Sequence, residues 1–314
     1  MSEQQAEKLL AVLVLARSSS YLMSKFVLGE LDTFNLLALR FLIAFAVQLV
    51  VLRKHCRQVN RKVLFHGAVI GTTFFLTLAA ELTALRGTPS TTVSFLENCS
   101  IVLVPLMAAA LRRRFPGKST IGSAALAIFG VALLTLGRGG GMSLSAGECT
   151  ALLAAFFYAT TILLTSRFAR EDDNTLALGL VQVGTVGVLA LTMSLLTETP
   201  HLPTTLGGWG GIVMLALVCT GFGLTLQPMA QSHISAEKAG LFCALSPVSA
   251  AILGWVFLRE NLGPVGLLGA ALVLCSLLLP RLLAMPAVQA KLHHVPQLRL
   301  HWNRAYRTPA RKAA

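Results

Sequence analysis

Residues 36–52 read LLALRFLIAFAVQLVVL, with one charge, Arg40, and one amide, Gln48. Such a run shows neither the two-residue alternation of a half-buried strand nor the polar stripe of a helix that faces water on one side. Wound as a helix at ~1.5 Å per residue it nearly crosses a hydrocarbon core of ~30 Å. Similar runs recur along the 314 residues, of which 55% are hydrophobic and 12% charged, about half the ~25% usual for soluble domains. Mean hydropathy is +0.72. The solvent for this surface is therefore lipid. At ~20 residues per span, ten spans take up about 200 residues, leaving short loops and one tail, which excludes a large soluble domain.

The predicted spans are 9–28, 33–52, 64–85, 90–111, 119–137, 147–166, 176–197, 209–231, 239–258 and 264–283. The start, Met1 to Lys8, is polar, contains Glu3 and Glu7, and lacks a small-residue cleavage site, so the first helix is expected to be retained. The six cysteines (Cys56, Cys99, Cys149, Cys219, Cys243, Cys275) show no CxxC spacing and read as packing residues. The net charge of +13 comes from loops and tail rather than from a soluble basic face, so it indicates membrane orientation and not nucleic acid. With the N-terminus in the cytoplasm, twenty of the 26 Lys and Arg lie inside. Outside lie Arg86, Arg138 and Arg259, and within spans lie Arg17, Lys25 and Arg40. The positive-inside rule thus gives a multi-pass protein of the cell inner membrane with both termini cytoplasmic.

The chain also echoes itself. Ser94-Phe95-Leu96 through Arg114 runs parallel to Gly240-Leu241-Phe242 through Glu260 at a constant offset of 146 residues. Two Leu/Ala/Gly-rich halves also align by composition alone, but five spans per half would force the second copy to enter the bilayer upside down. Inverted repeats of that kind are a structural habit of transporters.

Ala16-Arg17-Ser18-Ser19-Ser20 to Lys25, Leu39-Arg40-Phe41, and Gln227 through Ser235-Ala236 to Ser246-Pro247 and Arg259-Glu260 carry a family likeness. In their order and spacing they resemble the EamA-type transporters of the drug/metabolite transporter superfamily. The resemblance covers nearly the whole chain and is strongest over residues 220–280. It implies an all-α polytopic membrane protein of ten transmembrane helices arranged as two inverted five-helix repeats. It further implies a central cavity lined by helices 1, 3, 4, 6, 8 and 9, and export of small metabolites. The resulting divisions are a first repeat, 1–137, a linker, 138–146, a second repeat, 147–283, and a basic tail, 284–314. Two positions depart from the pattern: Arg17-Ser18 stands where similar proteins read Trp-Gly, and Arg112-Arg113-Arg114 where the first repeat usually ends its fourth helix with an acid.

Five ionisable residues, Arg17, Lys25, Arg40, Glu81 and Glu97, fall inside spans. Each costs at least ~2.5 kcal/mol at mid-bilayer unless paired or hydrated. Counting ~1.5 Å per residue, Arg17 lies about 2 Å to the cytoplasmic side of its helix midpoint, and Glu97 and Arg40 roughly 4 Å to the outer side. The same count puts Lys25 and Glu81 about 10 Å outward, as a second layer, with Glu81 near enough to the interface to be solvated. Glu97, with Asn98 beside it and Arg17 opposite, is expected to bind a polar substrate or carry a coupling proton; the competing reading is a buried salt bridge that fixes packing. Lys25, Arg40 and Glu81 are expected to be structural or gating charges.

Gln227 and Gln231, four apart, share a helical face, and Pro228 between them loosens that helix, so this face is expected to meet the cavity. Tyr21, Tyr158, Phe222 and Trp255 fall in helices that the resemblance places along the cavity, where they would pack against a substrate or seal a gate, although aromatic residues at such positions are commonly core. Gly139-Gly140-Gly141 lacks the context of a phosphate loop and reads as a linker. The tail mixes basic residues with Trp302 and Tyr306, suited to anionic lipids or to solvated disorder; its His293-His294 pair is not a metal site.

The function expected is a secondary transporter exporting a small organic metabolite, amino acid-like or a related polar solute, by alternating access, with proton coupling through Glu97. The alternatives are a drug/cation–proton antiporter, a non-transporting membrane protein, and an intramembrane enzyme using Glu97 or Glu81. No HExxH, nucleophile elbow or nucleotide loop supports the enzyme, and neither cofactor nor metal is expected.

Overall fold

The computed structural model describes residues 3–53, 59–111, 113, 115–136, 144–171, 175–223 and 245–284. Gln227, Gln231, residues 138–143 of the linker and the tail from residue 285 lie outside the described residues. Among the described residues the chain is helical, in ten segments. These are α1 (Glu3–Val27), α2 (Thr33–Val51), α3 (Arg61–Gly87), α4 (Ser90–Asn98 with Ser100–Leu111) and α5 (Lys118–Leu136). The second half contains α6 (Ala146–Glu171), α7 (Thr175–Thr197), α8 (Leu206–Val213 with Met214–Phe222), α9 (Leu245–Leu258) and α10 (Gly263–Ala284). Six of them, α1, α2, α3, α4, α6 and α7, are long and apolar enough to cross a membrane; the apolar parts of the other four are shorter. Successive helices run antiparallel. The end of the bundle where α1 starts is called proximal below, and the opposite end distal.

The main helix pairings reveal the symmetry. α2 packs on α7, α5 on α10 and α4 on α9; α3 packs on α6 and α7, α1 on α8 and α9, α2 on α8, and α4 on α6. Exchanging every helix n with n + 5 converts this set into itself, as a pseudo-twofold axis in the membrane plane requires.

Two helices depart from the regular α ladder. α4, expected to run unbroken over 90–111, is interrupted at Cys99. Pro105 lacks an N–H, so the Ile101 carbonyl loses its intrahelical partner and the ladder loosens just upstream. The turn there tightens, with the Cys99 amide donating to the Leu96 carbonyl at 3.1 Å. α8 widens into a π-helix over Met214–Phe222, a geometry that recurs where side chains are re-aimed at functional positions. The outer surface carries the apolar belt that lipid requires, including Phe65, Ile128, Phe129, Val188, Leu195 and Leu268, all exposed.

α5 and α10 approach at Gly130 and Gly269. A Cβ on Gly269 would lie 2.4 Å from the Leu134 amide nitrogen and 2.6 Å from the Gly130 carbonyl oxygen, so only hydrogen fits there. Gly269→Leu is expected to lower stability in detergent by about 1–3 kcal/mol, read as a fall in Tm. Gly122→Ala, whose Cβ would meet nothing within 4 Å, should leave Tm unchanged or slightly raised.

Candidate functional site: a buried charge chamber between the repeats

Arg17, Ser20, Tyr21, Arg40, Phe41, Phe74, Leu78, Glu81, Glu97 and Cys219 enclose a chamber of about 30 Å³, room for roughly one water. Arg17 and Tyr21 are one turn apart on α1 and so share a face. Arg17 Nη2 donates to the Tyr158 hydroxyl of α6, and its guanidinium carbon lies 5.2 Å from that ring's centroid. The Tyr21 hydroxyl donates to Glu97 Oε2 at 2.9 Å. Arg40 Nε donates to Thr220 Oγ1 at 2.7 Å, and Nη1 to Ser20 Oγ at 3.1 Å. Thr220 lies in the π-helical part of α8. The Glu81 and Glu97 carboxyls line this chamber together. Arg40, Glu81 and Glu97 are buried, at 6%, 5% and 4% exposure. Two guanidinium and two carboxyl groups from four helices of the first repeat thus gather here, and the guanidiniums reach acceptors on α6 and α8 of the second.

The structure brings Arg17, Tyr21, Arg40 and Glu97 together and adds Tyr158 through Arg17. It differs from the sequence reading in four ways. Glu81 is not a solvated residue of an outer layer but a buried member of the chamber. The depth count followed Cα positions, whereas helical side chains lean toward the N-terminus of their own helix. α3 and α4 are antiparallel, so Glu81 leans toward the midplane and Glu97 leans distally, and the two carboxyls converge. Lys25 pairs not with Glu81 but with Glu260 Oε1, at 3.0 Å, and with the Thr88 carbonyl, at 2.9 Å, its long stem reaching to the distal end. Asn98 does not enter the chamber: its Nδ2 donates to the Ser94 carbonyl at 2.7 Å. Phe222 and Trp255 are 59% and 68% exposed and do not line the chamber, so their cavity assignment is corrected to the outer apolar surface.

Sequence reading missed Ser20, Thr220 and three distal carboxylates, Glu30, Glu198 and Glu260. The Ser18-Ser19-Ser20 run on an apolar helix was a usable signal, as were acids placed next to helix ends. A second, larger cavity of about 410 Å³ lies behind α4, lined by Cys99, Val102, Leu103 and Leu106 with α5 residues Ala127 and Val131. Its lining is almost wholly apolar. Cys99 faces away from the chamber because it is two residues, or about 200°, around the helix from Glu97.

A pseudo-symmetric helical bundle with an apolar belt and buried charged groups at its centre defines a multi-pass membrane protein built on an inverted repeat. The sequence profile of the EamA-like transporter family matches residues 6–136 and 145–281. The chain belongs to the EamA-like transporter family. A relative from Archaeoglobus fulgidus, described as an uncharacterized transporter, is 25% identical over 263 residues, covering 81% of this chain and 89% of the relative. A protein crystal structure superposes with a TM-score of 0.65 at 21% identity over 90% of this chain and 98% of that one, a likeness of fold.

Arg40→Ala removes a charged donor from the buried Thr220 and Ser20 hydroxyls, two charge-assisted hydrogen bonds, and should therefore cost about 3–5 kcal/mol. Arg86→Ala should cost under about 1 kcal/mol, because the Arg86–Asp32 pair (2.8 Å) is 45% and 44% exposed. Thermal unfolding in detergent compares the two.

Proposed function

We propose that the chain is a secondary transporter that exports a small organic solute by rocking its two repeats, with a proton carried by the Glu81–Glu97 pair. The observation that carries this reading is that those two buried carboxyls line one small chamber whose other charges are two arginines. Two carboxyls in so small a chamber favour holding one proton between them. A conformational change that separates them, or moves an arginine, alters the hold on that proton, which is the differential interaction coupling requires. The links from Arg17 to Tyr158 and from Arg40 to Thr220 cross from the first repeat to the second, so rocking changes the pair's surroundings.

The distribution of cations supports cytoplasmic termini, with the proximal end inside, and a bacterial-type inner membrane location. The two profile matches support repeats over 1–137 and 147–283 joined by a short linker. The chamber holds about one water, so it is a coupling site in this conformation rather than a solute cavity. The solute-sized cavity is apolar, which favours the second reading, a drug- or organic-cation–proton antiporter, over an amino acid-like substrate. A ligand panel of amino acids, nucleosides, sugars and lipophilic cations, read as thermal stabilisation of the purified protein, separates the two.

In proteoliposomes loaded with the stabilising ligand, Glu97→Gln and Glu81→Gln should each abolish flux driven by a pH gradient while solute exchange at equal pH persists. Unchanged pH-driven flux in either variant contradicts the assignment of coupling to the pair.

A further inference from the structure

Three carboxylates cross between the repeats to occupy helix N-termini, and among the described residues all such bonds lie at the distal end. Glu198, just after α7, accepts from the Phe34 and Asn35 amides of α2 at 2.9 and 2.7 Å. Glu30, between α1 and α2, accepts from the amides of Thr204 and Thr205 at the start of α8, and from the hydroxyls of both residues at 2.8 Å. Glu260, between α9 and α10, is the most heavily bonded. Its Oε1 accepts from the Ser90 amide at 2.7 Å and from Lys25 Nζ at 3.0 Å. Its Oε2 accepts from the Thr91 amide at 3.0 Å, the Thr91 hydroxyl at 2.8 Å and the Ser90 hydroxyl at 3.0 Å. A helix N-terminus has orphan amides and partial positive charge, so each carboxylate meets both needs at once.

The turn that delivers Glu260 is unusual. Arg259 holds a left-handed φ of 53°, uncommon for a residue with a Cβ, and this turns the chain so that the Glu260 amide donates to the Gly254 carbonyl at 3.1 Å. Gly254 itself leaves room for the contact. A Cβ there would lie 2.6 Å from Thr91 Oγ1 and 2.7 Å from Glu260 Oε2. Gly208 plays the same part at Glu30, where an added Cβ would lie 2.1 Å from Oε2.

We propose that Glu30, Glu198 and Glu260 form a latch that closes the distal end of the transport path, with Glu260 and Lys25 as its central gate. Opening that end pulls α4 away from the α9–α10 turn and α2 and α8 away from the opposite repeat, so the three contacts must break together. The latch builds on the alternating-access reading, but it is a statement about accessibility and needs neither a known solute nor proton coupling.

The Glu260 and Glu30 contacts do not respond to ordinary changes of pH. Burial raises the Glu260 carboxyl, but the Thr91 and Ser90 amides, the Thr91 hydroxyl and the Lys25 ammonium outweigh it and hold the group below its usual range. The Thr205 amide and hydroxyl, with those of Thr204, pull Glu30 down to about 2. A depressed carboxylate keeps its contribution above its ordinary value and loses it only as pH falls through the depressed one. The charged groups facing these acids are Lys25 at Glu260 and, at the same end, the Arg86–Asp32 pair. These two contacts are therefore constant from about pH 5 to 8, and solute or the opposite gate must drive their opening.

Cys219, which lines the chamber and is 3% exposed, is the reporter. With the other five cysteines replaced by alanine, a membrane-impermeant maleimide is applied to right-side-out and to inside-out vesicles. Glu260→Gln and Gly254→Ala should each raise the labelling rate of Cys219 at least about tenfold from the distal side only, and Glu30→Gln should raise it in the same direction. The parent rate should stay flat over the stated pH range. Unchanged distal labelling in Glu260→Gln and Glu30→Gln, or an equal rise from both sides, overturns the latch. Unchanged pH-driven flux in Glu97→Gln or Glu81→Gln, with the labelling response intact, would instead count against the coupling proposal alone.

Discussion

Charge inside hydrocarbon is the constraint on which the rest of this structure depends. An ionised side chain at mid-bilayer is expensive unless partners replace its hydration shell, and this chain places four ionisable groups, Arg17, Arg40, Glu81 and Glu97, around a single chamber. Hydroxyls from Ser20, Tyr21, Tyr158 and Thr220 supply hydrogen bonds to Arg17, Arg40 and Glu97. Since the acceptors for both arginines include residues of the second repeat, the groups that solve the solvation problem also fix how the two halves meet. The break in α4 beside Glu97 and the π-helix that includes Thr220 place irregular backbone next to this cluster, where protein rather than lipid surrounds it.

The pseudo-twofold pairing explains why such an arrangement can switch. Two equivalent packings of inverted repeats are related by exchanging the roles of the halves, so a bundle closed at one end has a counterpart closed at the other. The side chains at the ends are not bound by that symmetry. Distally, Glu30, Glu198 and Glu260 join the repeats through helix N-termini. The chamber and these distal contacts share α1, since Arg17, Tyr21 and Lys25 follow one another on one face, so a shift of that helix is felt at both places.

Much of the fold was legible in the sequence because lipid imposes a coarse rule: long apolar runs become helices. Residues 36–52 alone made the bilayer the solvent, and α2 runs over Thr33–Val51. The site was legible only in part. Arg17, Arg40 and Glu97 could be grouped by counting residues, because a charge in an apolar run is conspicuous. Glu81 was misplaced because Cα depth ignores the direction in which a side chain leans, and that direction depends on which way its helix runs. Lys25 was paired wrongly for a related reason. Its partner Glu260 lies 235 residues away, in a turn whose left-handed Arg259 nothing in the local sequence announces. Phe222 and Trp255 show the opposite failure, since aromatic residues suit a cavity and a lipid face equally well.

The central claim is that the Glu81 and Glu97 carboxyls share one proton in the resting protein. Infrared difference spectroscopy of the purified transporter at neutral pH, comparing parent with Glu81→Gln and with Glu97→Gln, measures this through the carbonyl stretch of a protonated carboxyl. One such band in the parent, lost in both variants, is the result the account predicts. Absence of that band from the parent would mean two ionised carboxylates balanced against Arg17 and Arg40, a fixed salt-bridge cluster, and would contradict it.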